Sequence, residues 1–142
     1  MYEDYFGLKE KPFSLQPDPG FLYLSRQHSM AFAMLEYGVL NHSPITVITG
    51  DIGAGKTTLI RHLLANIGDD VVVGLVTNTH ESFGDVLQWI LLAYGLEAPT
   101  NDKAARFQCF TDFLISEYAS NRSVILIIDE AQNMTLEALE EV

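Results

Sequence analysis

The sequence predicts an α/β protein built on a parallel sheet covered on both faces. Short apolar runs rich in β-branched residues, at 45–49, 71–78 and 123–128, alternate with stretches whose apolar residues recur at helical spacing. Each run is apolar throughout, as expected of a strand buried on both sides. Between the first run and the helix after it lies a glycine-rich turn, Gly50-Asp51-Ile52-Gly53-Ala54-Gly55-Lys56-Thr57.

Residues 1–24, rich in aromatics, Pro and Gly, read as an extended lead-in pinned by Phe6, Phe13, Phe21 and Tyr23. Ser25 is placed to cap a helix whose apolar positions are Ala31, Met34, Leu35 and Val39. That helix ends at "NHSP", because Pro44 disfavours a helical residue before it. "ITVIT" (45–49) follows as a strand too apolar for an exposed edge. Leu59, Ile60, Leu63, Leu64 and Ile67 mark the next helix, which stops at Gly68. "VVVGLVTN" (71–78) is the second strand. Ser82 opens a helix with Phe83, Val86, Leu87, Ile90, Leu91 and Tyr94 on its apolar side. A further helix after "EAPTND" turns Phe107, Phe110, Phe113 and Leu114 inward, and "SVILII" (123–128) is the third strand.

A chain of 142 residues, 48% hydrophobic and 19% charged, is long enough for one globular domain with a real core. A formal charge of −11, with only eight scattered Lys and Arg, argues against a broad nucleic-acid surface. The single cysteine, Cys109, excludes an internal disulfide and reads as part of a buried helix face. The start "MYEDYFGLKEKPF" lacks the basic-then-apolar pattern of a signal peptide. No apolar run approaches the roughly 20 residues that span a bilayer.

The glycine-rich turn matches the P-loop pattern at every fixed position. A glycine-rich turn can merely join a strand to a helix, but this spacing has a chemical purpose. Glycines let the backbone wrap a phosphate, and successive N–H groups converge where a helix dipole favours an anion. Gly50, Asp51, Ile52, Gly53, Ala54, Gly55, Lys56, Thr57 and Thr58 are therefore the candidate nucleotide-binding set. Lys56 would bring a compact charge to the β- and γ-phosphates, Thr57 a hydroxyl to Mg²⁺, and Thr58 a contact on the α-phosphate side.

The third strand ends in Asp129-Glu130. An Asp at the tip of a buried strand suits a second Mg²⁺ partner, and strand alternation would send Glu130 the opposite way, free to polarise water. The same pair also suits the start of the helix predicted by "TLEALEEV"; the matched P-loop upstream favours the catalytic reading. His28, His42, His62 and His80 share no metal spacing. His28 and Arg26, ahead of the P-loop, are placed to approach the base or ribose.

Together "YFGLKEKPFSLQPDPGFLYLSRQHSMAFAMLEYGV", "GDIGAGKTTLIRHLL" and "ILIIDEAQNMTLEALEEV" resemble the general secretion pathway protein A (ExeA-like) ATPases of the AAA+ superfamily, over nearly the whole chain. The resemblance implies a P-loop NTPase of AAA+ type, a three-layer sandwich with a parallel sheet, here ending after the Walker B strand. Residues 1–142 would be the N-terminal portion of one such domain, with 1–43 as lead-in and adenine-side helix and 44–142 as partial nucleotide-binding core. It implies ATP or ADP with Mg²⁺ at 50–57, Asp129 on the metal, and Glu130 with Lys56 in catalysis. It also implies that 71–78 lies beside 123–128, whereas 45–49 does not.

The partners implied are further copies of the protein and a type II secretion or polysaccharide/exosortase-linked export machinery. The expected location is cytoplasmic, including the cytoplasmic face of the inner membrane for a full-length protein. Alternatives are an ATP-dependent helper of DNA transposition and a nucleotide-gated interaction module with little turnover. No Arg follows Arg122, so no arginine finger is nominated, and the 142-residue chain alone is expected to hydrolyse ATP weakly or not at all.

Overall fold

A computed structural model describes residues 2–9, 11, 20, 22–77 and 85–142. It divides into two compact units, Met1–Asn66 and Ile67–Val142.

The first unit is helical among its described residues: α1 (Tyr2–Tyr5), α2 (Arg26–Leu40) and α3 (Lys56–Asn66). Ser25 caps α2 as expected, its side chain accepting from the His28 amide. Helices α2 and α3 pack together, with Phe32 against His62 at 4.8 Å between ring centroids. Leu59 and Leu63 are buried on α3, as its spacing predicts. On α2 the inward stripe runs through Ala31, Phe32, Leu35, Gly38 and Val39, whereas Met34 is 61% exposed. Position 34 falls one step off the stripe on a helix of 3.6 residues per turn. Phe6 and Tyr23 are also exposed and do not pin the lead-in; Phe13 and Phe21 lie outside the described residues.

The largest departure is at 45–49. No strand forms there, and Ile45 and Val47 are 80% and 75% exposed. An extended segment becomes a strand only when a neighbour takes its N–H and C=O groups, and this unit contains no described strand to do so. The segment instead borders an open apolar groove of about 560 Å³ with Met30, Met34 and Tyr37 of α2.

The two strands found among the described residues lie in the second unit, β1 (Val71–Val76) and β2 (Ser123–Ile128), paired in parallel from Val71↔Ser123 to Val76↔Ile128. Residues 71–76 of the second predicted strand thus lie beside 123–128, as expected. Helix α4 (Val86–Ala93) lies against β1, and α5 (Lys103–Ala119) against α4 and β2. A 3₁₀ turn (Ala131–Asn133) and α6 (Leu136–Glu141) follow β2. Val76, Val86, Trp89, Ile90 and Met134 form the buried core, with Phe110, Leu126 and Ile128 packed against it.

The sheet face of Gly74, Val76, Leu126 and Ile128 packs on the core of this unit, while on the other face Val73, Ile125 and Ile127 are half-buried and Leu75 is 38% exposed.

Helix α4 starts at Val86 with Asp85 as its cap; Ser82, expected to open this helix, lies with residues 78–84 outside the described set. Asp85 accepts from the Gln88 amide at 2.8 Å and from Arg106 Nη1 on α5 at 3.3 Å, so one carboxylate ends α4 and ties it to α5. On α5, Phe110 and Phe113 face inward as predicted, but Phe107 is 64% exposed and Leu114 is outward too. The inward positions are Arg106, Phe110, Phe113 and Glu117, spaced three and four apart. Arg106 and Glu117 occupy them because each is paired: Arg106 with Asp85, and Glu117 with Arg122. The Arg122 hydrogen bond holds the Glu117 carboxyl below its ordinary pKa. Cys109 is a free thiol and only half-buried, less covered than the buried helix face expected of it.

Tyr94 closes the packing of this unit. Its ring lies 5.0 Å from Phe113 and 6.1 Å from Phe110, centroid to centroid. It also covers Gly74, where a Cβ would meet ring carbons at 2.6–2.8 Å. Gly74→Ala should therefore destabilise the protein by about 1–3 kcal/mol through overpacking. Denaturant midpoints measure the loss, which should shrink when Tyr94 is already Ala.

Burial also pushes the Tyr94 phenol up to about 12. A raised folded-state pKa means that the stabilisation is complete below the unfolded value of about 10 and is lost as pH rises through the folded value. Between those limits the parent should lose stability faster with pH than Tyr94→Phe, read as urea midpoints against pH.

Candidate functional site

The loop 50–55 joins the 45–49 segment to α3, so the helix context of the P-loop is present and the strand context is not. Gly53 and Gly55 have φ of +78° and +88°, where side chains other than glycine's are strained. These two residues bend the backbone into the loop. Ala54 N–H donates to the Asp51 carbonyl at 3.2 Å, and the Leu59 N–H donates to the Gly55 carbonyl at 2.9 Å, starting α3. The N–H groups of Lys56, Thr57 and Thr58 fall in the first turn of an 11-residue helix, the end where the helix dipole favours an anion. Ile52 at the loop tip is fully exposed.

Lys56 folds back over the loop. Its Nζ donates to the carbonyls of Gly50 and Asp51, each at 2.8 Å. An ammonium has three donors, so this grip holds the charge at the loop mouth and leaves one donor for an anion. The residues fit a phosphate group: a glycine-bent backbone, a helix N-terminus and a lysine gathered at one end of α3.

His28, placed ahead of the P-loop, touches the loop itself. Its Nε2 lies 2.8 Å from the Ala54 carbonyl oxygen and its Nδ1 lies 2.6 Å from Ser25 Oγ. Sequence reasoning missed this contact, for which the only signal was a histidine three residues after a helix cap. No such loop contact is seen for Arg26, which is exposed.

Asp129 and Glu130 belong to the second unit. The Asp129 amide donates to the Val76 carbonyl at 2.9 Å, so the ladder with β1 extends to this residue and holds it at the tip of β2. Asp129 Oδ1 accepts from the Glu130 amide at 3.0 Å.

Glu130 departs from the expectation. Its direction is not set by strand alternation, because the strand has ended and its backbone is left-handed, at φ 59° and ψ 35°. His42 and Asn121 also have positive φ, but each follows the end of a helix, where that conformation is common. A glutamate in this region at a strand tip stores about 1–2 kcal/mol, which the surroundings must hold. They do so through Ala131 and Met134, both packed in the core cluster, and through Gln132 Nε2, which donates to Glu130 Oε2. Thr135 then caps α6 by accepting from Ala138 N. The capping function weighed for the acidic pair thus falls to Thr135.

Among the described residues no helix is long and apolar enough to cross a membrane. Residues 40–142 match the AAA domain family. The chain is 33% identical to General secretion pathway protein A of Aeromonas hydrophila over 99% of its own length, and spans about a quarter (26%) of that relative. It is 51% identical to the Zinc chaperone CobW of a Sinorhizobium species over 42% of its length and 16% of that protein. No solved structure matches the chain. Its α/β architecture with a small parallel sheet and the family match over residues 40–142 agree: the chain belongs to the AAA domain family, and so to the P-loop nucleotide-binding fold.

Proposed function

We propose that this chain is the ATP-binding and ATP-hydrolysing module of a secretion-associated ATPase. The observation that carries the reading is the loop itself: two glycines at positive φ, a lysine gripping the loop mouth and the first turn of α3 directly behind it. The likeness to General secretion pathway protein A over 99% of the chain supports the setting.

In this reading, residues 50–58 hold the phosphates. Lys56 exchanges its carbonyl partners for β- and γ-phosphate oxygens, at small net cost because one set of charge-assisted hydrogen bonds replaces another. Thr57 and Asp129 are the residues that would hold Mg²⁺, which when bound neutralises phosphate charge as a Lewis acid. Glu130 accepts a proton from the attacking water, its backbone held by the turn while its carboxylate stays exposed. The partners are further copies of the protein and a secretion or export machinery, on the cytoplasmic side of a membrane.

Lys56→Ala should weaken Mg²⁺-ATP binding by about 10- to 150-fold, the equivalent of losing one charge-assisted contact of about 1.5–3 kcal/mol. Calorimetric titration measures it, and equal affinity for parent and variant would remove the basis of the reading. Glu130→Gln should keep nucleotide affinity within about threefold while phosphate release by the full-length protein falls by about 100-fold or more. A parent protein with no turnover above the Glu130→Gln background would instead favour a nucleotide-gated interaction module.

A further inference from the structure

We infer that His28 is a positioning residue for the phosphate loop, holding the Ala54–Gly55 peptide so that the Gly55 N–H is presented to phosphate. The inference rests on the nucleotide-binding reading of residues 50–58 and adds to it a residue outside the P-loop motif.

The Ala54 carbonyl can only accept, so the hydrogen between it and His28 is on Nε2. In the neutral ring Nδ1 is then an acceptor, and Ser25 Oγ–H at 2.6 Å is its donor. Ser25 Oγ in turn accepts from the His28 amide at 3.3 Å, as the cap of α2. The ring is thus held at both nitrogens, and its mount is the first turn of a 15-residue helix.

The peptide it holds needs such a restraint. A flip of the 54–55 peptide changes ψ of Ala54 and φ of Gly55, and a glycine accepts either sign of φ at little steric cost. Gly53, one residue earlier, is also at positive φ and adds no stiffness. The peptide is planar and trans, so its C=O and N–H point in opposite directions. Tying the Ala54 oxygen to α2 therefore directs the Gly55 N–H away from α2. Flipped, the same peptide would present a carbonyl oxygen where an anion needs a donor. The ring also abuts the backbone of residue 55, where a Cβ would lie 3.4 Å from Nε2.

The test is titration of full-length protein with a fluorescent ADP analogue and Mg²⁺, alongside thermal melting without nucleotide. His28→Phe keeps the ring bulk and loses the donor, and should weaken binding about five- to tenfold, the loss of one hydrogen bond. His28→Gln keeps a terminal N–H and should restore binding to within about twofold of the parent. Ser25→Ala leaves the donor but frees the ring, and should weaken binding by about two- to threefold.

A merely structural role predicts that affinity falls only as far as the melting temperature does, with Gln no better than Phe; that result would overturn the inference. So would parent-like binding by His28→Phe when Lys56→Ala has lost it, and this outcome leaves the phosphate loop intact. Parent-like binding by Lys56→Ala would remove the phosphate-loop reading and the inference together. If His28→Phe melts early, His28→Gln decides: binding within about twofold of the parent supports the inference, and binding as weak as that of His28→Phe overturns it.

Discussion

Backbone hydrogen bonding decides most of what this chain becomes. Every N–H and C=O removed from water needs a partner, and the partners available differ between the two units. In the second unit β1 and β2 answer each other residue by residue, and the ladder runs one step past each end. Ser123 N–H donates to the Asp70 carbonyl and Asp129 N–H donates to the Val76 carbonyl, both at 2.9 Å. That last bond is what delivers Asp129 to the tip of the sheet. In the first unit the same demand is met by helices, and residues 45–49 do not become a strand.

The phosphate loop is an application of the same rule. Its carbonyls at Gly50 and Asp51 are taken by Lys56, and that at Ala54 by His28. Side chains that engage these oxygens hold the loop backbone in one conformation, and a preorganised loop costs less to order when it binds an anion. Gly53 and Gly55 make the bend possible but also make it soft, so the side chains that grip the carbonyls supply the stiffness.

At the other candidate position the restraint comes from packing. Glu130 occupies a backbone conformation that a glutamate alone would leave. Ala131 and Met134, directly after it, are anchored among Val76, Trp89 and Ile90. The core thus stabilises the turn, and the turn keeps an acidic side chain in solvent at the end of β2. Strain held by a core at a strand tip is a common arrangement at functional sites, where a reacting group must not relax away.

The local features were legible in the sequence because their causes are local. The P-loop spacing, the Ser25 cap, the α3 stripe at Leu59 and Leu63, and the two runs that became β1 and β2 each follow from residues within a few positions. Tertiary structure decided whatever depended on a partner distant in sequence. The run 45–49 has strand composition but no described strand beside it within its unit, and hydrogen bonding, not composition, makes a strand. Phe107 and Leu114 are as apolar as Phe110 and Phe113, yet α5 turns outward the two that its neighbours do not reach, while Arg106 and Glu117 go inward because each has an ionic partner. The contact from His28 to Ala54 spans 26 residues and links a helix start to a loop, a juxtaposition that only the packing of α2 against α3 creates. Spacing encodes which chemistry a segment can perform; which side chains hold it in place is settled when the helices meet.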